Sequence, residues 1–317
     1  MDVEQRADFG LERFAMTGTG QRLRGMTDRF LFESCDPNMA SVLRIGFGLL
    51  LCIYSFMWWL DGSLWFSDQG VLKTNTAEFL GAHVHWSLFS WIQPTPAIVN
   101  ACLLILMLQS GMLLVGLYSR VQAASIFFWL VSFQNRNPLI LDGEDTVFRI
   151  FAFLFIFLPL DHRWSIGTRM RGARVVDEEN GDRWSALQEQ AWALRLVQIQ
   201  MTVIYLSATL CKLFGSTWQN GSAMFYVANA CDYFGRFGVM EPLFGLPWFI
   251  RAATWSALAI EAALPILLWF RPTRRPAIVA GIGLHLAIEA SMIPGRCAAP
   301  PAPAMMQCRP RPAACLA

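Results

Sequence analysis

Charge is what this sequence has least of. Only 15% of its 317 residues are charged, where a soluble domain carries roughly 25%. Of 25 basic residues, only Lys73 and Lys212 are lysine. A net charge of +2, with no basic run interleaved with aromatics, excludes nucleic acid as a partner. The eight cysteines form no CxxC pair and have no histidine at zinc-ligand spacing, so neither a metal site nor a disulfide framework is signalled. Ten-residue stretches of alternating hydrophobicity, the mark of an outer-membrane barrel, are missing. So is an internal repeat of the kind that transporters with inverted halves carry. Residues 1–38 hold no apolar segment of signal-peptide type, so the first span is expected to direct insertion itself.

What the chain has instead is apolar sequence in long blocks. Hydrophobic residues make up 55% and the mean hydropathy is +0.40. A helix needs roughly 20 such residues to cross about 30 Å of hydrocarbon, and in lipid every backbone group must be satisfied internally. The expected fold is therefore all-α, a polytopic transmembrane helical bundle of about seven spans. These lie at 40–60, 97–118, 121–134, 146–160, 191–213, 248–270 and 276–293. The third and fourth are short, and Asn137-Pro138 with Asp142-Gly143 makes a turn between them.

Orientation follows from counting basic residues on alternate sides. With a cytoplasmic N-terminus, the inner segments hold Arg6, Arg13, Arg22, Arg24, Arg29, Arg120, Arg163, Arg169, Arg171, Arg174, Arg183, Arg271, Arg274 and Arg275, and the outer loops hold Lys73, Arg136 and Arg236. Fourteen against three predicts that the N-terminus and residues 161–190 are cytoplasmic and residues 214–247 external. Three regions result. Residues 1–38 are a cytoplasmic segment with an interfacial helix carrying Leu23, Met26 and Phe30 on one face. Residues 39–293 are the transmembrane domain. Residues 294–317 are a Pro/Ala-rich tail, either a truncated or frame-shifted end or a disordered terminus.

Polar residues inside spans are expensive and face a bundle interior or a wet cavity. In the fifth span Arg195, Gln198, Thr202, Tyr205, Thr209 and Lys212 follow one another at spacings of 3, 4, 3, 4 and 3, which lays them along one stripe of a helix. Such a stripe either glues helices together by hydrogen bonds or lines a cavity. Lys212, at the outer end, either snorkels to water or sits in a dry pocket. The sixth span carries Glu261, expected to pair with Arg195, Arg149 or His285. In the seventh, His285 and Glu289 share a face at i, i+4. Asp145 and Arg149, also four apart, have a structural appearance. Beyond Lys212, Trp218, Gly221, Phe225 and Tyr226 supply aromatic walls and a tight turn, suited to a flat or apolar ligand or to an interfacial belt.

The segments LRLVQIQMTVIYLSATLCKLFGSTWQNGSAMFYV, IEAALPILLWFRPTRRPAIVAGIGLHLAIE, WFSDQGVL and NPLILDGEDTVFRI together resemble the HTTM family, bacterial membrane proteins similar to the membrane domain of vitamin K-dependent gamma-carboxylase. The resemblance covers approximately residues 38–292. Its most specific part is Tyr205, Lys212, Leu213, Trp218 and Gly221, with the Lys-to-Trp spacing one residue longer than in the eukaryotic enzyme. In that carboxylase the lysine is the proposed base toward vitamin K hydroquinone, and the reaction ends with a Glu carbanion capturing CO2. Carried over, the resemblance implies Lys212 and His285 as catalytic residues, with Arg195, Gln198, Tyr205, Trp218, Gly221, Glu261 and Glu289 lining the substrate site. It further implies a reduced quinone as cofactor, an exported peptide as a candidate partner beside the lipid bilayer, and a bacterial inner-membrane location with the site facing the periplasm. Two functions stand side by side: a quinol-linked, carboxylase-like enzyme, and a non-catalytic membrane module such as a small-molecule permease, a peptide-maturation partner or a complex subunit.

Overall fold

The computed structural model describes residues 24–28, 30–31, 37–79, 85–161, 164–170, 191–229 and 242–291. Among the described residues the regular elements are helical and no strand occurs. The chain divides into two units, Met1–Val197 and Gln198–Ala317.

The first unit holds α1 (Pro37–Phe66), α2 (Thr74–Phe79), α3 (Pro96–Val115), α4 (Ser119–Arg136), α5 (Gly143–Phe155), α6 (Ile166–Met170) and the first turns of α7 (Ala191–Leu213). Local chemistry sets the boundaries. Thr95 accepts from the Ile98 amide at the start of α3, with Pro96 in the first turn, where its missing N–H costs nothing. Asp142 opens α5 through a reciprocal capping box with Asp145, satisfying amides that a helix start leaves orphaned. The expected turn at 137–143 is thus a cap on each side: Asn137 accepts from Leu139 N and donates to Trp65 O at 2.8 Å.

α1 packs along α3, α3 against α4 and α4 against α5. Leu51, Leu103, Leu106, Leu130, Phe133 and Phe155 lie between them, essentially out of solvent. Aromatic stacking carries much of this core. Tyr54 and Phe148 have ring centroids 4.4 Å apart, and Phe47 and Phe155 4.5 Å, pairs worth about 0.5–1.5 kcal/mol each beyond their area. Leu49, Leu50, Ile53, Phe56 and Leu60 on α1 are exposed, an apolar face of the kind that marks contact with lipid.

Polar anchors tie the ends of these helices. Arg44 on α1 is fully buried; its guanidinium donates to Trp164 O at 2.7 Å and lies 4.0 Å from Asp161. Asp161 also accepts from the Ser119 hydroxyl. The α3–α4 link is Gly116, at φ +76°, and a Cβ there would overlap Arg44 Nη1. No residue but glycine fits.

The second unit begins within α7 and adds α8 (Ser216–Gln219), α9 (Ala223–Asn229), α10 (Pro247–Leu267) and α11 (Arg271–Ser291). α8 and α9 lie on α10, and α10 packs on α11, with Gly281 against Leu264. Thr273 and Arg274 donate to the Leu267 and Leu268 carbonyls at 2.8 and 3.0 Å, closing the C-terminal end of α10.

Each of the seven expected spans is a helix. Four of them, Asn38–Phe66, Pro96–Val115, Trp192–Leu213 and Pro247–Leu267, are long and apolar enough to cross a membrane. α5 has 13 residues, about 20 Å of rise, and α11 opens on Arg271, Arg274 and Arg275. Of the expected interfacial helix, residues 24–28 are helical, Met26 is exposed, and Phe30 carries the Arg195 guanidinium 5.3 Å above its ring. Leu23, residues 171–190 and the tail 294–317 lie outside the described residues.

Candidate functional site

The site is built on the second unit's part of α7. Residues 3 or 4 apart share one helical face, and that face carries Gln198, Thr202, Tyr205, Thr209 and Lys212. Each of four reaches a defined environment. Thr202 donates to the Gln198 carbonyl at 3.0 Å and accepts from the Trp269 indole N–H at 3.0 Å. The Tyr205 hydroxyl lies 3.0 Å from His285 Nε2 of α11. Thr209 is 4% exposed. Lys212 Nζ donates to Glu261 Oε2 of α10 in an ion pair.

The Lys212–Glu261 pair corrects one expectation. Glu261 takes Lys212, not Arg195, Arg149 or His285, as its cation. Arg195 sits 17 residues before Lys212, about 25 Å down the same helix at 1.5 Å per residue, and belongs to the first unit. His285 is engaged with Tyr205 instead. Of the two fates open to Lys212, the side chain turns to α10 and is 25% exposed, that of Glu261 10%. A carboxylate carried in the middle of an apolar helix holds its charge only beside a cation, and the flexible four-carbon stem of lysine can supply one away from its own helix end.

Trp218 of α8 completes the surroundings of the amine, its ring centroid 5.1 Å from Lys212 Nζ, within cation–π range. Only two residues separate α7 from α8, because the Gly215 amide turns back to the Lys212 carbonyl at 3.0 Å. Gly221 makes the next turn at φ +77°; a Cβ there would stand 3.1 Å from both Arg251 and Trp255 of α10. That glycine presses the loop onto α10. Phe225 and Tyr226 meet edge to face at 5.6 Å, with Tyr226 exposed. Met224 N donates to Thr254 Oγ1 at 3.1 Å, fixing α9 to α10.

Of the expected site residues, Lys212, Glu261 and Trp218 come together, and Tyr205 meets His285 one to two turns earlier on α7. Glu289 falls in α11, but its side chain lies outside the described residues. Among the described residues no group of three or more His, Cys, Asp or Glu side chains is placed to hold a metal ion. Asp145 serves as a cap and accepts from the Tyr54 hydroxyl. The sequence reading passes over Arg44, although an arginine inside an apolar span is itself the signal. Arg136, counted above as an outer-loop charge, is buried and donates to Leu72 O at 2.8 Å.

A lysine–carboxylate pair beside an indole stands on apolar helices, and the comparison with known families decides the chain's kinship. The HTTM domain matches residues 32–292. This chain belongs to the HTTM family. The HTTM chain is 25% identical to the Sporulation-delaying protein SdpB of Bacillus subtilis (strain 168) over 184 residues, 53% of this chain and 51% of that protein. It is 24% identical to the Uncharacterized protein YitO of the same organism over 208 residues, 63% of this chain and 59% of that protein. The HTTM chain thus spans about half the length of the curated relatives it matches. No solved structure matches it. It is an HTTM-domain membrane protein, all-helical over its described residues.

Proposed function

We propose that this HTTM protein is a quinol-linked, carboxylase-like enzyme of the bacterial inner membrane, with Lys212 as its base. The observation that carries the proposal is the ion pair of Lys212 with Glu261, formed on apolar helices beneath the Trp218 ring. A reduced quinone fits this donor set: a hydroxyl-bearing ring needs a proton acceptor beside it and an aromatic surface to lie against, and Lys212, Glu261 and Trp218 are those groups. When bound, the quinol supplies a weakly acidic hydroxyl and a two-electron reservoir. Transfer of one proton from Nζ to Oε2 breaks an N–H bond and makes an O–H bond, leaving a neutral amine and a neutral acid. Lys212 can then accept a proton from a bound hydroxyl. Tyr205 and His285 supply a second donor–acceptor pair along the same face, and Gln198 extends the polar stripe of α7. Seven spans with a cytoplasmic N-terminus would turn Lys212 toward the periplasm, where an exported peptide could meet it.

The test compares Lys212→Arg with Lys212→Ala in purified, folded protein, reading quinol-dependent oxygen consumption. Arginine keeps the ion pair but cannot give up its proton, so both variants are expected to lose activity, by at least about 100-fold if the base contributes as general bases do. Full activity in Lys212→Arg refutes the base. A second reading, a non-catalytic membrane module, is favoured by the match to SdpB, a protein named for delaying sporulation and not for a reaction. Unchanged phenotype in Lys212→Arg together with no quinol-dependent turnover in the wild type selects it.

A further inference from the structure

Hydroxyls on helices of this protein have a regular solution to burial. Ser55 donates to the Leu51 carbonyl at 2.7 Å, Ser110 to Leu106 at 2.8 Å and Thr202 to Gln198 at 3.0 Å, each reaching four residues back, as serine and threonine do inside helices. Ser41 of α1, Thr74 at the start of α2 and Thr209 of α7 depart from this, and of the three only Thr209 stands on the helix that carries Lys212. Thr209 is 4% exposed, and its hydroxyl has no hydrogen-bond partner among the described residues. It stands on the α7 face that presents Tyr205 to His285 and Lys212 to Glu261, four residues after the first and three before the second. A threonine hydroxyl left unsatisfied in an apolar setting costs about 1–3 kcal/mol, and valine would fill nearly the same volume without that cost. On the face that carries Tyr205 and Lys212, a group from outside the chain can complete that hydroxyl.

We infer that Thr209 is a ligand-contacting, specificity-determining residue: its hydroxyl donates to an oxygen of the ring compound that Lys212 serves, giving that ligand a second polar anchor one helical turn below the amine. The inference rests on the quinol reading of the Lys212 site. It adds to that reading the ligand's chemistry, an aromatic ring bearing an oxygen acceptor that reaches Thr209 while a hydroxyl faces Lys212. A site built to hydrogen-bond a ligand oxygen rejects analogues lacking it far more sharply than an apolar slot does. Thr209 would then separate quinol-like rings from plain aromatic ones.

The full-length protein, in lipid nanodiscs under anaerobic conditions, is titrated with menadiol by equilibrium dialysis, with empty discs as the blank. Wild type, Thr209→Val, Thr209→Ser and Lys212→Ala are compared, and each is melted without ligand. Thr209→Val is expected to bind about tenfold more weakly, the equivalent of about 1.4 kcal/mol, while its Tm stays equal or rises. Thr209→Ser, which keeps the hydroxyl, is expected to bind within about twofold of wild type. These opposite signs separate a ligand contact from a structural residue, for which binding and Tm fall together. Wild-type affinity in Thr209→Val overturns the assignment, as does a drop in its Tm that Thr209→Ser restores. If Lys212→Ala weakens binding and Thr209→Val does not, Thr209 alone is excluded. If the wild type holds no menadiol above the blank, the quinol reading and this inference fall together.

Discussion

At the scale of single residues, the second unit turns on which side chain stands opposite Glu261. A carboxylate and an ammonium taken out of water cost several kcal/mol each in solvation, returned only when the two meet with good geometry. Lys212 and Glu261 meet so, which makes each intolerant of the other's loss. Glu261→Leu and Lys212→Met are each expected to destabilise the folded protein by roughly 1–3 kcal/mol, below the figure for a fully buried pair because Lys212 keeps some exposure. The double variant is expected to recover part of that loss, since no lone charge remains. Thermal melts of the four proteins check this, and strictly additive losses would show that the two side chains do not depend on each other. The 3–4 spacing along α7 shows in advance which residues share its polar face. Which partner faces them is not legible there, because the reach of a lysine stem across to α10 leaves no trace in either helix's own periodicity.

At the scale of elements, the helices themselves were legible and their membrane status less so. Long apolar runs with Pro, Thr or Asp at their starts mark α1, α3, α5 and α10 plainly, since capping and propensity are local. The polar ends of α4, the 13 residues of α5 and the arginines of α11 belong to helices whose lengths and charges do not alone require a crossing. The partners of Arg44 were hidden for a different reason: Trp164 and Asp161 arrive from about 120 residues away. That arrangement ties α1 to the segment after α5, with Gly116 holding open the space. Arg44→Met is expected to cost about 2–4 kcal/mol by removing the buried cation that Asp161 faces and the donor to Trp164 O. Gly116→Ala is expected to cost at least about 1–2 kcal/mol from its left-handed backbone, and more because the new Cβ would overlap the guanidinium. Denaturation in mild detergent, followed by tryptophan fluorescence, measures both. Wild-type stability in Gly116→Ala would show that Arg44 takes another position.

At the scale of the whole molecule, the distribution of charge is the strongest statement the chain makes about its surroundings. Arginines crowd the segments assigned inward, and the structure removes one of the three outward charges from the count: Arg136 is buried and hydrogen-bonded to Leu72 O, so it is no loop charge for the membrane to sort. Lys73 and Arg236 remain. An asymmetry of that size, counted over short loops near span ends, fixes orientation in bacterial membranes, and it predicts that residues 161–190 face the cytoplasm while Ser222 faces the periplasm, on the side of Lys212. Crossing counts enter directly, because dropping one internal span would invert every loop after it. The check is single cysteines at Ser185 and Ser222 in a background with the native cysteines replaced, Cys211 above all since it is exposed. Intact cells are labelled with a membrane-impermeant maleimide and compared with lysed cells. Labelling of position 222 in intact cells, with position 185 labelled only after lysis, is the expected pattern. The reverse would put Lys212 on the cytoplasmic side, where an exported peptide could not reach it, and would leave the quinol chemistry of the site to stand without a periplasmic partner.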